Sequence, residues 1–129
     1  MKITEITVKA QILSGLSKKK LPVKLGFAVS CNLDEMAKWQ KKTEEQRIEL
    51  CKQYAKKDDK GEPIIKDDRY DIEDMTALSS DVTELMDEDI EVSIRKVPDS
   101  LLDLIDVSDK YDALTPDEIG ALQFMLTEG

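Results

Sequence analysis

The feature that most constrains the fold is a long stretch that contains no helix-breaking residue in its interior. From Pro22 to about Lys57 there is no second proline and only one glycine, Gly26. Apolar side chains recur here every three or four residues, at Leu25, Val29, Leu33, Met36 and Trp39. This spacing places them on one face of a helix, and proline suits the first helical turn. The stretch therefore predicts one long amphipathic helix.

The apolar stripe of this helix is interrupted for two turns. Residues 40–47 carry no apolar side chain, and the stripe resumes at Ile48, Cys51 and Tyr54. The interruption is either a solvated stretch supported by pairs such as Lys41 with Glu45 or a docking site, and we favour the solvated stretch. Trp39 stands at its edge. Core packing is the favoured role for Trp39, but tryptophan is also a typical interface hot spot, so it is a candidate partner contact.

Shorter elements flank the long helix. The first twenty residues fit a strand or a helix, because Ile6, Val8 and Ala10 alternate whereas Ile6, Ala10 and Leu13 share a helical face. We favour a short strand at residues 2–4 followed by a helix to about Leu16. After Gly61, residues 63–66 and 69–72 read as two extended pieces around the acidic turn at 67–68. Residues 73–88 repeat Met75, Leu78, Val82 and Leu85 at helical spacing, which predicts a second helix packed antiparallel on the first.

The last third of the chain predicts a strand and a terminal helix. Residues 89–97 alternate apolar and polar side chains as a half-buried strand does. A short helical turn follows Pro98. Thr115 to Glu118 has the pattern of a capping box with proline at the first position, which predicts a helix from Pro116 to about Thr127. The expected fold is mainly α (α+β), a long helical hairpin with a small β element and a C-terminal helix, in one domain over residues 1–129.

Charge is distributed unevenly along the chain. Residues 1–66 hold 15 basic and 9 acidic residues, whereas residues 67–129 hold 4 basic and 19 acidic residues. The second half is therefore net −15 within a chain of net −9. So dense an acidic tract is either solvated or meets a positively charged partner, and repulsion from phosphate opposes direct nucleic-acid binding. The cluster at Lys18, Lys19 and Lys20 is too short to reverse this, and we interpret it as a solvated loop or a partner for the chain's own acidic face.

Residues that most enzymes rely on are missing from the sequence. The chain has no histidine, so neither a triad of the Ser-His or Cys-His type nor a histidine metal site is available. Cys31 and Cys51 fall on the same predicted helix about 30 Å apart and cannot pair. The glycines have no phosphate-binding spacing, and no apolar run is long enough to cross a membrane. We expect a non-catalytic protein without cofactor, metal or membrane partner, located in the cytoplasm.

Carboxylates are the only abundant chemistry that remains. One group lies in and after the short turn that follows Pro98 and comprises Asp99, Asp103, Asp106, Asp109 and Asp112. Several could face one side of a helix and hold a divalent ion, but the spacing does not match a calcium loop. We favour a solvated acidic surface over a metal site, and these five aspartates, which we call the acidic segment, are the candidate partner-binding residues together with Trp39.

The succession of elements resembles a family of short uncharacterised proteins of phages and prophages of Gram-positive bacteria. The resemblance is carried by residues 21–24 (LPVK), 59–65 (DKGEPII), 91–98 (EVSIRKVP), 114–119 (LTPDEI) and 124–125 (FM). It spans nearly the whole chain, but its motifs are structural and imply no catalytic residue. It implies a viral accessory protein inside the host bacterial cell.

Together these observations predict an acidic, phage-encoded binding protein. One hypothesis is an inhibitor that mimics phosphates and blocks a nucleic-acid-binding host defence enzyme through a basic surface of that partner. The alternative is an assembly, scaffolding or tail-chaperone protein. The sequence also allows a homo-oligomer.

Overall fold

A computed structural model describes all residues from Met1 to Gly129. Five α-helices account for most of the regular structure: α1 Ile3–Leu16, α2 Val23–Tyr54, α3 Met75–Met86, α4 Leu101–Asp106 and α5 Pro116–Leu122, with a 3-10 turn at Gln123–Met125. The strands are short: β1 Ile65–Lys66, β2 Arg69–Tyr70, β3 Val97–Pro98 and β4 Leu126–Thr127. The prediction of a mainly helical α+β fold with a long helix, a small β element and a C-terminal helix is confirmed.

Helix α2 is the axis of the molecule. Its 32 residues start directly after Pro22, and its first half buries one face, formed by Leu25, Ala28, Val29, Asn32 and Met36. Along α2, three ion pairs each join a glutamate to a basic residue three positions later: Glu35 to Lys38, Glu44 to Arg47 and Glu49 to Lys52. The predicted pair between Lys41 and Glu45 does not form. Both cysteines lie on α2 and are unpaired.

Two helices pack on different halves of α2. Helix α1 covers the first half and buries Ile6, Ala10, Leu13 and Leu16 in the core. Helix α3 runs antiparallel along the second half, where the Tyr54 hydroxyl donates to Asp81. The predicted hairpin of α2 and α3 is therefore present, but the main core lies between α2, α1 and the C-terminal segment. Only Leu78 of α3 is buried.

The β1–β2 hairpin follows the predicted pattern. The strands pair antiparallel around Asp67 and Asp68, whose φ angles of 51° and 63° are left-handed. Two successive left-handed residues form the turn that matches the twist of a hairpin, and aspartate tolerates this conformation better than most residues. The acidic pair is thus explained by the turn it makes.

The predicted strand at 89–97 is largely wrong. Only Asp89, bridged to Lys2, and Val97, in β3, make ladder contacts. The expected alternation is nevertheless present, because Ile90, Val92 and Ile94 are half-buried while the side chains between them are exposed. The segment is flanked by helix α2 rather than by a strand, so it has no ladder partner over its middle.

Both chain ends depart slightly from prediction. The capping box is confirmed, since Thr115 and Glu118 exchange the expected side-chain bonds. Helix α5 ends at Leu122, however, and not near Thr127, because Leu126 and Thr127 pair in parallel with Val97 and Pro98 as β4. At the other end the strand predicted at residues 2–4 reduces to the single bridge at Lys2, and α1 begins at Ile3.

Candidate functional site

The acidic segment is built on the short helix α4. Ile105 is buried on its inner side, and Leu101 and Leu102 are half-buried. Burial of this apolar side leaves Asp103 and Asp106 exposed on the outer side. Before the helix, the Asp99 amide donates to the Thr127 carbonyl at 2.7 Å, which attaches the start of the segment to β4.

The far end of the acidic segment is held by Asp112. Its backbone amide donates to the Lys20 carbonyl at 2.9 Å, and its carboxylate accepts from the Lys20 amide at 2.8 Å. This reciprocal pair attaches the loop after α4 to the loop before α2. The Asp112 carboxylate therefore has a structural task that the carboxylates of Asp99, Asp103, Asp106 and Asp109 do not share, although all five were candidates on equal terms in the sequence.

Most of the negative charge in the second half of the chain is unpaired. Of its 19 acidic residues, only four form ion pairs with a cation within 4.0 Å: Asp71, Asp87, Asp89 and Glu118. None of the five aspartates of the acidic segment does so, and all five are exposed. The segment thus presents carboxylates that no basic side chain neutralises.

The basic cluster before α2 contributes to this arrangement. Lys19 donates to the Glu118 carboxylate at 2.7 Å and to the Ala113 carbonyl at 3.0 Å. Its ammonium group, followed by the backbone amide of Thr115, holds the pKa of Glu118 below its ordinary value. Lys19 is therefore a partner for the chain's own acidic face, as one of the two sequence interpretations predicted.

The acidic segment does not converge on a point. Over all 129 residues, no three acidic or cysteine side chains lie close enough together to hold a metal ion. The carboxylates are spread along a helix and a loop, which suits an extended charged surface better than a chelating cage. What this arrangement can do chemically is bind a positively charged surface.

Trp39 lies in a different place. Its indole N–H donates to Glu35 at 3.3 Å, and its ring is half-buried against the core. The ring lines a cleft of about 230 Å³ between α1, α2 and the end of α3, together with Ile3, Ile6 and Met86. The polar interruption of the stripe forms the rim of this cleft, through Gln40, Thr43, Glu44 and Arg47.

The structure does not unite the two sets of candidate residues. None of the five aspartates lines the Trp39 cleft. Asp112 contacts Lys20, just before α2, whereas Trp39 lies more than about 20 Å further along the helix at ~1.5 Å per residue. Trp39 and Asp112 therefore belong to separate surfaces.

One residue that the sequence analysis did not single out organises the region before α4. Asn32 is the only buried polar residue of the chain and is 1% exposed. Its side-chain amide accepts from the Arg95 N–H at 2.8 Å and donates to the Arg95 carbonyl at 3.1 Å. The Asn32 side chain thus forms with the Arg95 backbone the two hydrogen bonds that a neighbouring strand would otherwise form. The sequence contained one signal for this role: Asn32 follows Val29 by three residues and precedes Met36 by four, so it falls on the apolar face of the helix.

Comparison with known proteins gives no relative for this chain: no family model, no curated protein and no solved structure matches it. Among its helices, none combines the length and the apolar character needed to span a membrane.

Proposed function

We propose that this chain is a non-catalytic acidic binding protein that covers a basic, nucleic-acid-binding surface of a partner protein. The observation that carries the proposal is the acidic segment, whose five exposed aspartates have no cationic partner within the chain. In this role its carboxylates occupy the positions where the partner binds phosphates.

The attachment of the acidic segment at both ends supports this role. Asp99 is bonded to Thr127 and Asp112 to Lys20, so the intervening helix and loop are positioned before any partner arrives. A prepositioned surface loses less conformational entropy on binding than a flexible tail of the same charge. Unpaired charge of one sign also accelerates association with an oppositely charged surface.

The resemblance to phage and prophage proteins suggests the biological setting of the proposal. A phage-encoded protein of this kind acts in the cytoplasm of the host bacterium, and its partner is a defence enzyme that binds DNA or RNA. The inhibitor does not need to bind nucleic acid itself or to carry out a reaction.

A second candidate function uses the other surface. In a virion-assembly or tail-chaperone role, the half-buried ring of Trp39 and the apolar floor of its cleft contact a structural protein. The specific observation in favour is that the cleft is open and has an apolar floor of Ile3, Ile6 and Met86 below a polar rim.

Affinity capture from bacterial cells with matched variants separates these functions. In the first variant Asp99, Asp103, Asp106 and Asp109 become asparagine, while Asp112 is kept because it holds the loop. The control variant removes the same number of charges elsewhere, by Asp67→Asn, Asp68→Asn, Glu73→Gln and Glu84→Gln. We expect a nucleic-acid-binding partner to be lost with the first variant and retained with the control. Equal retention by both contradicts the proposal, and loss with Trp39→Ala alone favours the assembly role.

A further inference from the structure

Helix α3 buries only a small part of its apolar surface. Its large apolar side chains are Met75, Leu78, Val82, Leu85 and Met86. Leu78 alone is buried, whereas Met75 is 58% exposed and the other three are half-buried. An amphipathic helix normally buries its apolar stripe against the core of its own domain. Helix α3 therefore keeps apolar surface that the chain itself does not cover.

The uncovered side chains lie on one face of α3. Met75, Val82 and Met86 are separated by seven and four residues, a spacing that aligns them along the helix. Asp81 faces α2, because its carboxylate accepts from the Tyr54 hydroxyl. Val82 is the next residue and points about 100° further round the helix. The uncovered stripe thus lies beside the contact with α2 and not within it.

This stripe lines a groove next to the start of α1. Val82 and Met86 form the apolar part of the groove, whose volume is about 440 Å³, and Thr4 contributes from α1. Met86 also lines the Trp39 cleft, so the groove and the cleft adjoin at this side chain. Methionine side chains are unbranched and adapt to partners of different shape.

The charge around the groove has one sign along α3. Residues 73–89 contain no basic residue and seven acidic ones: Glu73, Asp74, Asp81, Glu84, Asp87, Glu88 and Asp89. Only Asp87 and Asp89 form ion pairs. Glu84 has no cationic partner and lines the groove. An apolar stripe beside unpaired carboxylates is complementary to an apolar face flanked by lysine or arginine.

We propose that this groove binds a basic amphipathic helix of a partner protein. A helix suits the groove because the amides and carbonyls of α3 are bonded within the helix, so α3 offers side chains and no free backbone edge for a strand. The bound helix lies along α3, with apolar residues on Met75, Val82 and Met86 and with its basic residues near Glu84. The same surface of a second copy is disfavoured, since it brings two acidic helices together.

This site goes beyond the proposed function and does not depend on it. None of the five aspartates of the acidic segment lines the groove. The acidic segment offers charge to a basic surface, whereas the groove on α3 selects a partner by the position of its apolar residues. A ligand whose charge is fixed and whose apolar pattern varies therefore distinguishes the two surfaces.

Fluorescence anisotropy with two labelled peptides provides the measurement. The probe is a peptide of lysine and leucine, about five helical turns long, with leucine at three- and four-residue spacing. The comparison peptide has the same composition in an order that forms no apolar face. We expect the full chain to bind the amphipathic peptide at least about tenfold more tightly than the comparison peptide, because only the former buries the stripe.

Matched variants assign this preference to α3. Met75→Gln combined with Val82→Thr keeps side chains of similar shape but makes the stripe polar, and it should reduce the preference about tenfold. The control, Val23→Thr combined with Ile65→Thr, changes two apolar side chains elsewhere that are 83% and 62% exposed, and it should keep the preference. The variant with asparagine at 99, 103, 106 and 109 should keep it as well. Circular dichroism checks that each variant is folded.

Three results overturn the proposal. The first is that the parent binds neither peptide or binds both equally, and the second is that Met75→Gln with Val82→Thr keeps the full preference. The third is that the preference disappears in the asparagine variant, which places the peptide on the acidic segment and leaves the proposed function standing. Sedimentation equilibrium without peptide tests the other occupant: a dimeric parent that Met75→Gln with Val82→Thr makes monomeric assigns the groove to a second copy and also overturns the proposal.

Discussion

Replacement of Asn32 by aspartate should strongly destabilise the protein. Aspartate has nearly the same shape, and it can still accept from the Arg95 N–H. It cannot donate to the Arg95 carbonyl, however, and when ionised it places a negative charge against that carbonyl at a position that is 1% exposed. A lost hydrogen bond of this kind costs about 1–3 kcal/mol, and an unpaired buried charge adds to this cost. We expect the free energy of unfolding to fall by about 3–5 kcal/mol.

The loss of stability in Asn32→Asp should be larger at neutral pH than at acidic pH. Burial raises the pKa of the introduced carboxyl group above its unfolded value of about 3.9, because the charged form is disfavoured. Below that unfolded value the introduced carboxyl group is protonated and can donate to the Arg95 carbonyl, so part of the stability returns. As the pH rises from there through the folded pKa, that stability is lost again.

Urea denaturation followed by far-UV circular dichroism, at pH 7 and at pH 4, measures both effects. Ser30→Asp is the matched control, since it introduces the same side chain on the same helix at an exposed position. The control should stay within about 0.5 kcal/mol of the parent. If Asn32→Asp were equally harmless at pH 7, Asn32 would not be holding the 90–96 segment through the Arg95 backbone.

Three further experiments address the packing and the surface. Met36→Asp should unfold the protein because its side chain is fully buried, whereas Val82→Asp should destabilise it clearly less because its side chain is half-exposed. Lys42→Asp should leave the stability nearly unchanged. Thermal melts that rank the three variants otherwise contradict the assigned faces of the helices. The hydrogen bond from Tyr54 to Asp81 raises the pKa of Tyr54. The contribution of this hydrogen bond to the free energy of unfolding should therefore be complete below pH ~10 and lost as the pH rises further. Tyr54→Phe should abolish this part of the loss of stability at alkaline pH. Saturating EDTA should leave the melting temperature unchanged, and a fall of more than about 10 °C would show that a bound ion stabilises the fold.

Local sequence rules were sufficient for the elements whose determinants are close together in the chain. The apolar spacing predicted α2 and α3, the capping box predicted the start of α5, and the acidic pair at 67–68 predicted the hairpin turn. These signals act over four residues or fewer, so they do not depend on what the rest of the chain does.

The errors occurred where a distant segment decides the outcome. Alternation correctly predicted which side chains of residues 90–95 are half-buried, but a β-ladder needs a partner strand, and here Asn32 of a helix takes that place at Arg95. Similarly, the spacing at the C-terminus suits a longer α5, yet residues 126–127 pair with β3. Neither partner can be identified from local periodicity.

The candidate site residues likewise divide into features that the local sequence predicts and features that depend on distant contacts. Exposure of Asp103 and Asp106 was predictable from the apolar pattern of α4. The distinct task of Asp112 was not, because its contact with Lys20 joins residues 92 positions apart. No local pattern distinguishes the location of Trp39 from that of the aspartates, whereas the structure places Trp39 and Asp112 on separate surfaces.

Competition with nucleic acid tests whether the acidic segment covers the nucleic-acid-binding surface of the partner. The captured partner is bound to a labelled duplex, and the release of the duplex by this protein is titrated at low and at high salt. We expect the parent to displace the duplex at low salt, and the variant with asparagine at 99, 103, 106 and 109 to lose this displacement by orders of magnitude while its melting temperature is retained. Because salt also weakens binding of the duplex to the partner, parent and variant are compared at the same salt concentration. If that variant displaces the duplex as well as the parent does at both salt concentrations, the acidic segment is not what covers the partner's nucleic-acid-binding surface.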